Sequence, residues 1–253
     1  MDALAASLAD ALADPLPFLL AFLVVLAAGI VQSTAGLGFG LVAAPILMFL
    51  NPALVPGGVI FLGTLVSLLS TLRDLRHVNG RYVLAGLAGR TPAAFVAASL
   101  VALASQALFD VLFALSILVA VVLSVLAPGL RPSAPRVAVA GVLSGLMGTL
   151  TGVGAPPFGI ALQNAPAGEM RATLNAVLLL GAMISMVALA WFGAFGLVDI
   201  VKGASLVPAA LIGFWLARFL IRDLRLAAFL RPTVLTLCTA SSAMLLIRAV
   251  AAP

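Results

Sequence analysis

Two short stretches hold most of the chemistry that this apolar chain could perform. The first runs Gly29-Ile-Val-Gln-Ser-Thr-Ala-Gly-Leu-Gly-Phe-Gly40, and the second runs Gly145-Leu-Met-Gly-Thr-Leu-Thr-Gly-Val-Gly-Ala-Pro-Pro157. Gly36, Gly38 and Gly40 fall within five residues, inside a run where a helix should continue unbroken. Each glycine in a helix interior costs about 1 kcal/mol relative to alanine. A break there frees N–H and C=O groups that lipid cannot satisfy, so it survives only where it is buried in protein or lines a polar cavity. A helix that restarts at such a break presents free N–H groups and about half a positive charge. Ends of this kind bind anions without a full cation. Gln32, Ser33, Thr34, Thr149 and Thr151 surround the breaks and could complete the shell of a small anion. Glycine lets the backbone come close to a ligand, and Pro156 stands where a second half-helix would begin.

Arg90 is the one cation expected well inside an apolar segment, about nine residues into a helix from Tyr82, or roughly 13 Å by helix rise. An arginine at that depth costs about 3 kcal/mol on insertion scales and usually faces an interior partner or a cavity. It could hold an anion, snorkel to the surface, or pair with the loop before it. Arg218, near the end of a later helix, fits a snorkelling side chain. His77 is the only histidine and lies in a charged loop. A membrane-embedded serine protease needs its base inside the membrane, so that chemistry is excluded. Asp110 opens a helix, where an acid suits the dipole. No carboxylate falls at mid-membrane, where proton-coupled carriers commonly use one. The coupling ion, H+ or Na+, stays open. Cys238 is the only cysteine, so no cofactor and no cysteine-based metal site are expected.

The two stretches are copies of one plan. Gly29 matches Gly145, Gly36 matches Gly152, Gly38 matches Gly154, and Ser33 matches Thr149, all at an offset of 116 (145 − 29). Gly80 and Gly196, Pro92 and Pro208, and Phe113 and Phe229 keep the same offset. Paired interruptions at corresponding positions of two halves are the best sequence pointer to a transporter's binding site.

The elements that carry these stretches must lie in lipid. Residues are 64% hydrophobic and 8% charged, against about 25% charged in soluble domains. The fold class is therefore all-α, a polytopic integral membrane protein. Two inverted repeats are expected, each a glycine-broken helix with a half-helix followed by three transmembrane helices. Residues 1–16 form an acidic segment suited to an amphipathic helix, without the basic start of a secretory signal. Repeat 1 covers 17–126, a Pro/Arg linker 127–136, and repeat 2 137–250. Spans are expected at 17–35, with a short piece at 41–50, then 58–72, 82–104 and 108–126. In the second half they are expected at 137–150, with a short piece ending near 164, then 173–192, 204–221 and 226–246. Basic residues gather on cytoplasmic loops. That rule places 73–81, 127–136, 165–172 and 222–225 in the cytoplasm and both termini outside, with Lys202 and Arg248 as exceptions. The loop at 193–203 falls outside. The net charge of +5 follows from this rule, and no basic run interleaved with aromatics suggests nucleic acid.

The glycine pair Gly36-Leu-Gly38-Phe-Gly40 and Gly152-Val-Gly154-Ala-Pro156, in two similar halves with short loops, resembles the TauE/SafE family of sulfite exporters, also called the toluene-sulfonate uptake permease family. The resemblance covers essentially the whole chain. It implies a bacterial inner-membrane transporter of small sulfur-containing anions such as sulfite, sulfonates or sulfoacetate, working by alternating access. Family members are assigned to both export and uptake. The second half departs from a plain glycine repeat at Ala155-Pro156-Pro157, so the two half-sites should differ chemically.

The substrate site is thus expected to gather Gln32, Ser33, Thr34, Gly36, Gly38, Gly40, Arg90, Thr149, Thr151, Gly152, Gly154 and Pro156. A competing reading makes the glycines packing surfaces, since Gly36/Gly40, Gly141/Gly145 and Gly148/Gly152 are G-x-x-x-G pairs. An anion channel and a non-transporting membrane assembly protein are the alternatives to a carrier.

Overall fold

Helix α1 (Pro15–Ala35) stops where the sequence breaks. The Gly36 N–H closes the last turn on the Gln32 carbonyl at 2.8 Å, and Gly36 then turns left-handed at φ +73°, a conformation cheap only for glycine. The chain restarts as α2 (Phe39–Leu50). The same device recurs: α6 (Ala134–Thr151) ends at Gly152, φ +81°, and α7 (Ala155–Leu162) follows. Both the helix ends and the restarts differ by 116 (151 − 35 and 155 − 39). The computed structural model describes residues 15–36, 38–125 and 131–220, with 236, 239, 240 and 244 beyond them. The acidic segment before Pro15, residues 126–130, the expectations for 222–225 and Arg248, and all but those four residues of 226–246 lie outside the described residues.

Between and after the breaks lie α3 (Gly57–Asp74), α4 (Gly80–Leu103), α5 (Gln106–Val125), α8 (Ala167–Trp191), α9 (Leu197–Ala204) and α10 (Val207–Leu220). No strand occurs among the described residues. Six helices are long and apolar enough to cross a membrane, and α9 with α10 gives a seventh if that pair, bent by 54°, is one span. Large apolar side chains such as Leu84, Leu103 and Val125 lie exposed along these helices, as lipid-facing surfaces require.

Three expectations are corrected. The segment 193–203 is not simply a loop, because α9 forms within it; the Asp199 carboxylate accepts from the Gly196 N–H at 2.9 Å and starts that helix. Helix α8 begins six residues before Thr173, with Pro166 at its N-cap, whose carbonyl accepts the Met170 N–H at 2.9 Å and so starts the helix there. Asp110 does not open α5; it sits one turn in and accepts from the Gln106 amide at 2.9 Å, while the Ser105 hydroxyl accepts the Leu108 N–H at 3.3 Å.

Small residues set the packing. A Cβ on Gly141 would collide with the Gly86 carbonyl and one on Gly89 with the Ala138 carbonyl, so α4 and α6 touch backbone to backbone. Helices α1 and α10 meet the same way, at Gly29 against the Ala210 carbonyl and Gly213 against the Leu26 carbonyl. This close approach is how small residues join helices in lipid. Helices α3 and α8 pair at the arginine-rich end through Asp74 and Arg171, 2.9 Å apart. The Ser33 carbonyl, near the end of α1, accepts from Arg73 at that same end. Helix α6 instead begins there, since the Pro132 carbonyl accepts from the Tyr82 hydroxyl at 3.4 Å.

Candidate functional site

The two breaks meet. A Cβ on Gly40 would run into the Gly152 carbonyl, so the start of α2 lies directly on the end of α6. Beside this contact is a cavity of about 40 Å³, room for a few water-sized groups. Gln32, Gly40, Ser67, Arg90, Gly152 and Gly154 line it, with Leu41, Val59, Ile60 and Ala182 forming an apolar wall.

The first break is capped from within. The Gln32 amide oxygen accepts from the Gly38 N–H at 3.1 Å and the Phe39 N–H at 3.0 Å. Its amide nitrogen donates to Asn175 Oδ1 at 2.8 Å and to Ser67 Oγ at 3.3 Å. The expectation that both restarted helices present free N–H groups is therefore corrected for α2, where a neutral side chain already holds two of them.

The second break is built differently. The residue 116 positions after Gln32 is Gly148, and the space that a side chain would need is taken by Arg90. A Cβ on Gly148 would lie 2.9 Å from Arg90 Nη2, and one on Gly154 would lie 2.7 Å from Nη1. A Cβ on Gly181 would overlap Nε and Cδ. Three glycines from three segments thus form the seat of one guanidinium. Arg90 Nη1 donates to Ser144 Oγ, which donates in turn to the Gly154 carbonyl at 2.6 Å. Nη2 donates to Ser185 Oγ at 3.4 Å. Ser185 gives its own hydrogen to the Gly181 carbonyl at 3.0 Å, which makes Thr149 the donor in their 2.8 Å contact. Nε has no hydrogen-bond partner among the described residues.

Arg90 is 2% exposed, and no other charged side chain is buried among the described residues. Neither snorkelling nor pairing with the preceding loop describes it. Its seat adjoins the N-terminus of α7, itself the positive end of a helix. Positive charge thus meets positive charge, out of water, with no buried carboxylate among the described residues to balance them. A buried charge is tolerated where it is paired and hydrogen-bonded, and here hydroxyls supply the hydrogen bonds while the counter-charge is still required.

Five of the expected residues reach the cavity: Gln32, Gly40, Arg90, Gly152 and Gly154. The others support or stand apart. Thr151 Oγ bonds back to the Met147 carbonyl at 2.8 Å and accepts the Val153 N–H at 3.1 Å, which shapes the turn. Thr149 acts on Arg90 through Ser185. Thr34 bonds back to the Ile30 carbonyl at 2.9 Å and does not line the cavity. Ser33 is buried, and its carbonyl takes the Arg73 guanidinium at 2.9 Å. Gly36 and Gly38 form the first turn, and Pro156 lies buried in the first turn of α7. Arg218 lies over the Trp215 ring at 3.7 Å. Ser67, Ser144, Asn175 and Ser185 were not expected. Asn175 and Ser185 lie ten residues apart on α8, about 80° around a helix of 3.6 residues per turn, and that polar pairing on one side was the available signal. No group of three or more potential metal ligands occurs among the described residues.

The model of the sulfite exporter TauE/SafE family matches residues 21–245, which takes in both breaks and every residue of the cavity. The chain belongs to the sulfite exporter TauE/SafE family. This membership, with the apolar helices, makes it a multi-pass membrane transporter of the exporter type for sulfur-containing anions. Searches of the curated proteins and of the solved structures match nothing. What distinguishes this TauE/SafE chain is therefore read from its own geometry.

Proposed function

We propose that this TauE/SafE protein is a carrier that exports a small sulfur oxyanion or sulfonate, sulfite among them, holding it at Arg90 beside the second break. The observation that carries the proposal is the buried Arg90 guanidinium, set against the start of α7 with no buried carboxylate among the described residues. An anion in the adjoining cavity would supply the missing charge. The hydroxyls of Ser144 and Ser185 keep the guanidinium in place, so the anion meets a pre-oriented donor. The cavity's apolar wall suits the non-polar side of a sulfonate.

The carrier works by alternating access between two inverted repeats. In support, α1 ends at the arginine-rich end whereas α6 begins there, and the two pairs α4–α6 and α1–α10 pack alike. By the positive-inside rule the arginine-rich end is cytoplasmic in a bacterial inner membrane. Binding closes the mouth that admitted the anion, and rocking of one repeat on the other opens the opposite side. With no buried acid near the cavity among the described residues, a transported proton would ride on the anion itself.

The test is counterflow in proteoliposomes. Internal unlabelled sulfite should accelerate entry of external labelled sulfite, with saturation. Arg90→Gln should abolish it, and Arg90→Lys should retain a minor fraction, because an ammonium keeps the charge and loses the fork. Non-saturating flux without counterflow would make the protein an anion channel instead.

A further inference from the structure

At the arginine-rich end a carboxylate of the protein sits between two guanidiniums, where an oxyanion would fit. Asp74 Oδ2 accepts from Arg171 Nε at 2.9 Å and from Arg73 Nη2 at 3.1 Å, and Oδ1 accepts from Arg171 Nη2 at 3.2 Å. Two guanidiniums on two helices thus enclose one carboxylate, and the group of three keeps a net charge of +1. Glu169, a second acid at this end among the described residues, is engaged elsewhere: it accepts from the Asn79 amide at 2.8 Å. Asp74 is the last residue of α3, where the helix dipole disfavours an acid, so its position depends on the two arginines. Its side chain is 12% exposed, against 27% for Arg73 and 29% for Arg171. The guanidiniums therefore reach water while the carboxylate between them is mostly covered.

This group is bonded to the cavity. The Arg171 carbonyl accepts from Asn175 Nδ2 at 2.9 Å, and Asn175 Oδ1 accepts from Gln32 at 2.8 Å. Arg73 donates to the carbonyl of Ser33, the neighbour of Gln32, at 2.9 Å. Gln32, Asn175, Arg171, Asp74, Arg73 and Ser33 form a closed ring with one side at the cavity and the other at the arginine-rich end. Along α3 the two sides are seven residues apart, Ser67 to Asp74, or about 10 Å.

We propose that Arg73 and Arg171 form an outer oxyanion site on the path to Arg90, closed in this structure by Asp74, and that the travelling anion exchanges with the Asp74 carboxylate there. The role of the anion as substrate rests on the reading under Proposed function. The site itself does not, and the exchange is a swap of hydrogen bonds with no covalent step. While Asp74 fills the shell, α3 and α8 are latched together. An arriving anion takes over the guanidiniums, releases Asp74, and lets the two helices part.

The experiment is thermal unfolding of the full chain in lipid-free detergent, titrated with sulfite and with methanesulfonate against chloride of equal ionic strength. The background is Arg90→Gln, which removes the deep site. Arg90→Gln alone should show only a small anion-specific shift, because the anion must displace Asp74 to enter the outer site. Adding Asp74→Asn should restore a saturable shift, at least several-fold above the chloride control. Adding Arg171→Gln as a third change should abolish it. Identical responses of Arg90→Gln with and without Asp74→Asn would overturn the proposal. So would a shift that appears only when phosphatidylglycerol is added, since the arginines would then be a lipid-headgroup site. If Asp74→Asn does not fold, Arg171→Gln in the otherwise unchanged protein carries the test. It should raise the half-saturating concentration for flux from the arginine-rich side several-fold, with equilibrium anion binding unchanged. An unaltered half-saturation would overturn the proposal, whereas loss of all anion binding in wild type would count against the Arg90 reading instead.

Discussion

Arg90 and Gly148 are in contact: a Cβ on the glycine would lie 2.9 Å from Nη2 of the arginine. Gly148 stands 116 positions after Gln32, so the place filled by an amide at one break is filled by a borrowed guanidinium at the other. The residue 116 positions after Arg90 is Leu206, which lies in the apolar core beside α1 and α2. One break thus carries a neutral cap and the other lies against a cation, and this asymmetry places the charge at the second break.

The seat of the guanidinium has no room to spare. Gly181→Ala places a methyl on Nε and Cδ of Arg90 and should cost about 1–3 kcal/mol, as overpacking generally does. It should also weaken anion binding by displacing the charge. Unfolding in detergent, with and without sulfite, measures both effects. Gly80→Ala, with nothing within 4 Å of its Cβ, is the control and should change neither.

The two left-handed glycines should respond unequally. Gly36→Ala and Gly152→Ala both pay the left-handed penalty of about 1–2 kcal/mol. A Cβ on Gly152 also comes within 2.7 Å of Val59 Cγ1, whereas the nearest atom to one on Gly36 is Asn175 Nδ2 at 3.4 Å. Gly152→Ala should therefore be the more destabilising, and a comparison of unfolding midpoints decides it. Equal losses would show that the Val59 contact relaxes freely.

Gln32 separates fold from function. Gln32→Leu strips the acceptor from the Gly38 and Phe39 N–H groups and should cost about 1–3 kcal/mol for the buried donors left unmade. Gln32→Glu keeps that acceptor, puts negative charge at the start of α2 where the dipole favours it, and sets like charge against the substrate. It loses the donations to Asn175 and Ser67, so it should be less stable than wild type, and it should bind sulfite many-fold more weakly, as read by titration. Binding by Gln32→Glu at wild-type strength would remove Gln32 from the cavity's electrostatics.

Much of this was legible from residues because glycine is so costly in a lipid-embedded helix. The breaks at Gly36 and Gly152 and the offset between them follow from that cost, and the depth of Arg90 follows from its distance along the helix from Tyr82. The partners of Arg90 were not legible. Ser144 and Ser185 are single hydroxyls in apolar helices, and such residues commonly bond back along their own helix, as Thr34 and Thr64 do. Gln32 lines the cavity and also caps α2, and its bonds to the Gly38 and Phe39 N–H groups, six and seven residues on, are not visible in the sequence because they form only once the chain turns at Gly36. Helix α9 is not legible because 193–203, with Lys202, reads as an external loop; only the bond from the Gly196 N–H to Asp199 shows a helix start there.

The central claim is that Arg90 requires an anion. The most direct measurement is thermal stabilisation of the purified protein by sulfite, sulfate, sulfoacetate, taurine, an aryl sulfonate and acetate, each with wild type and Arg90→Gln. A ligand of the folded state at a hundred times its Kd adds about 2.7 kcal/mol. A saturable shift with at least one sulfur anion in wild type, absent in Arg90→Gln, is the predicted result. The contradicting result is a wild type indifferent to every anion, or an Arg90→Gln protein that responds equally.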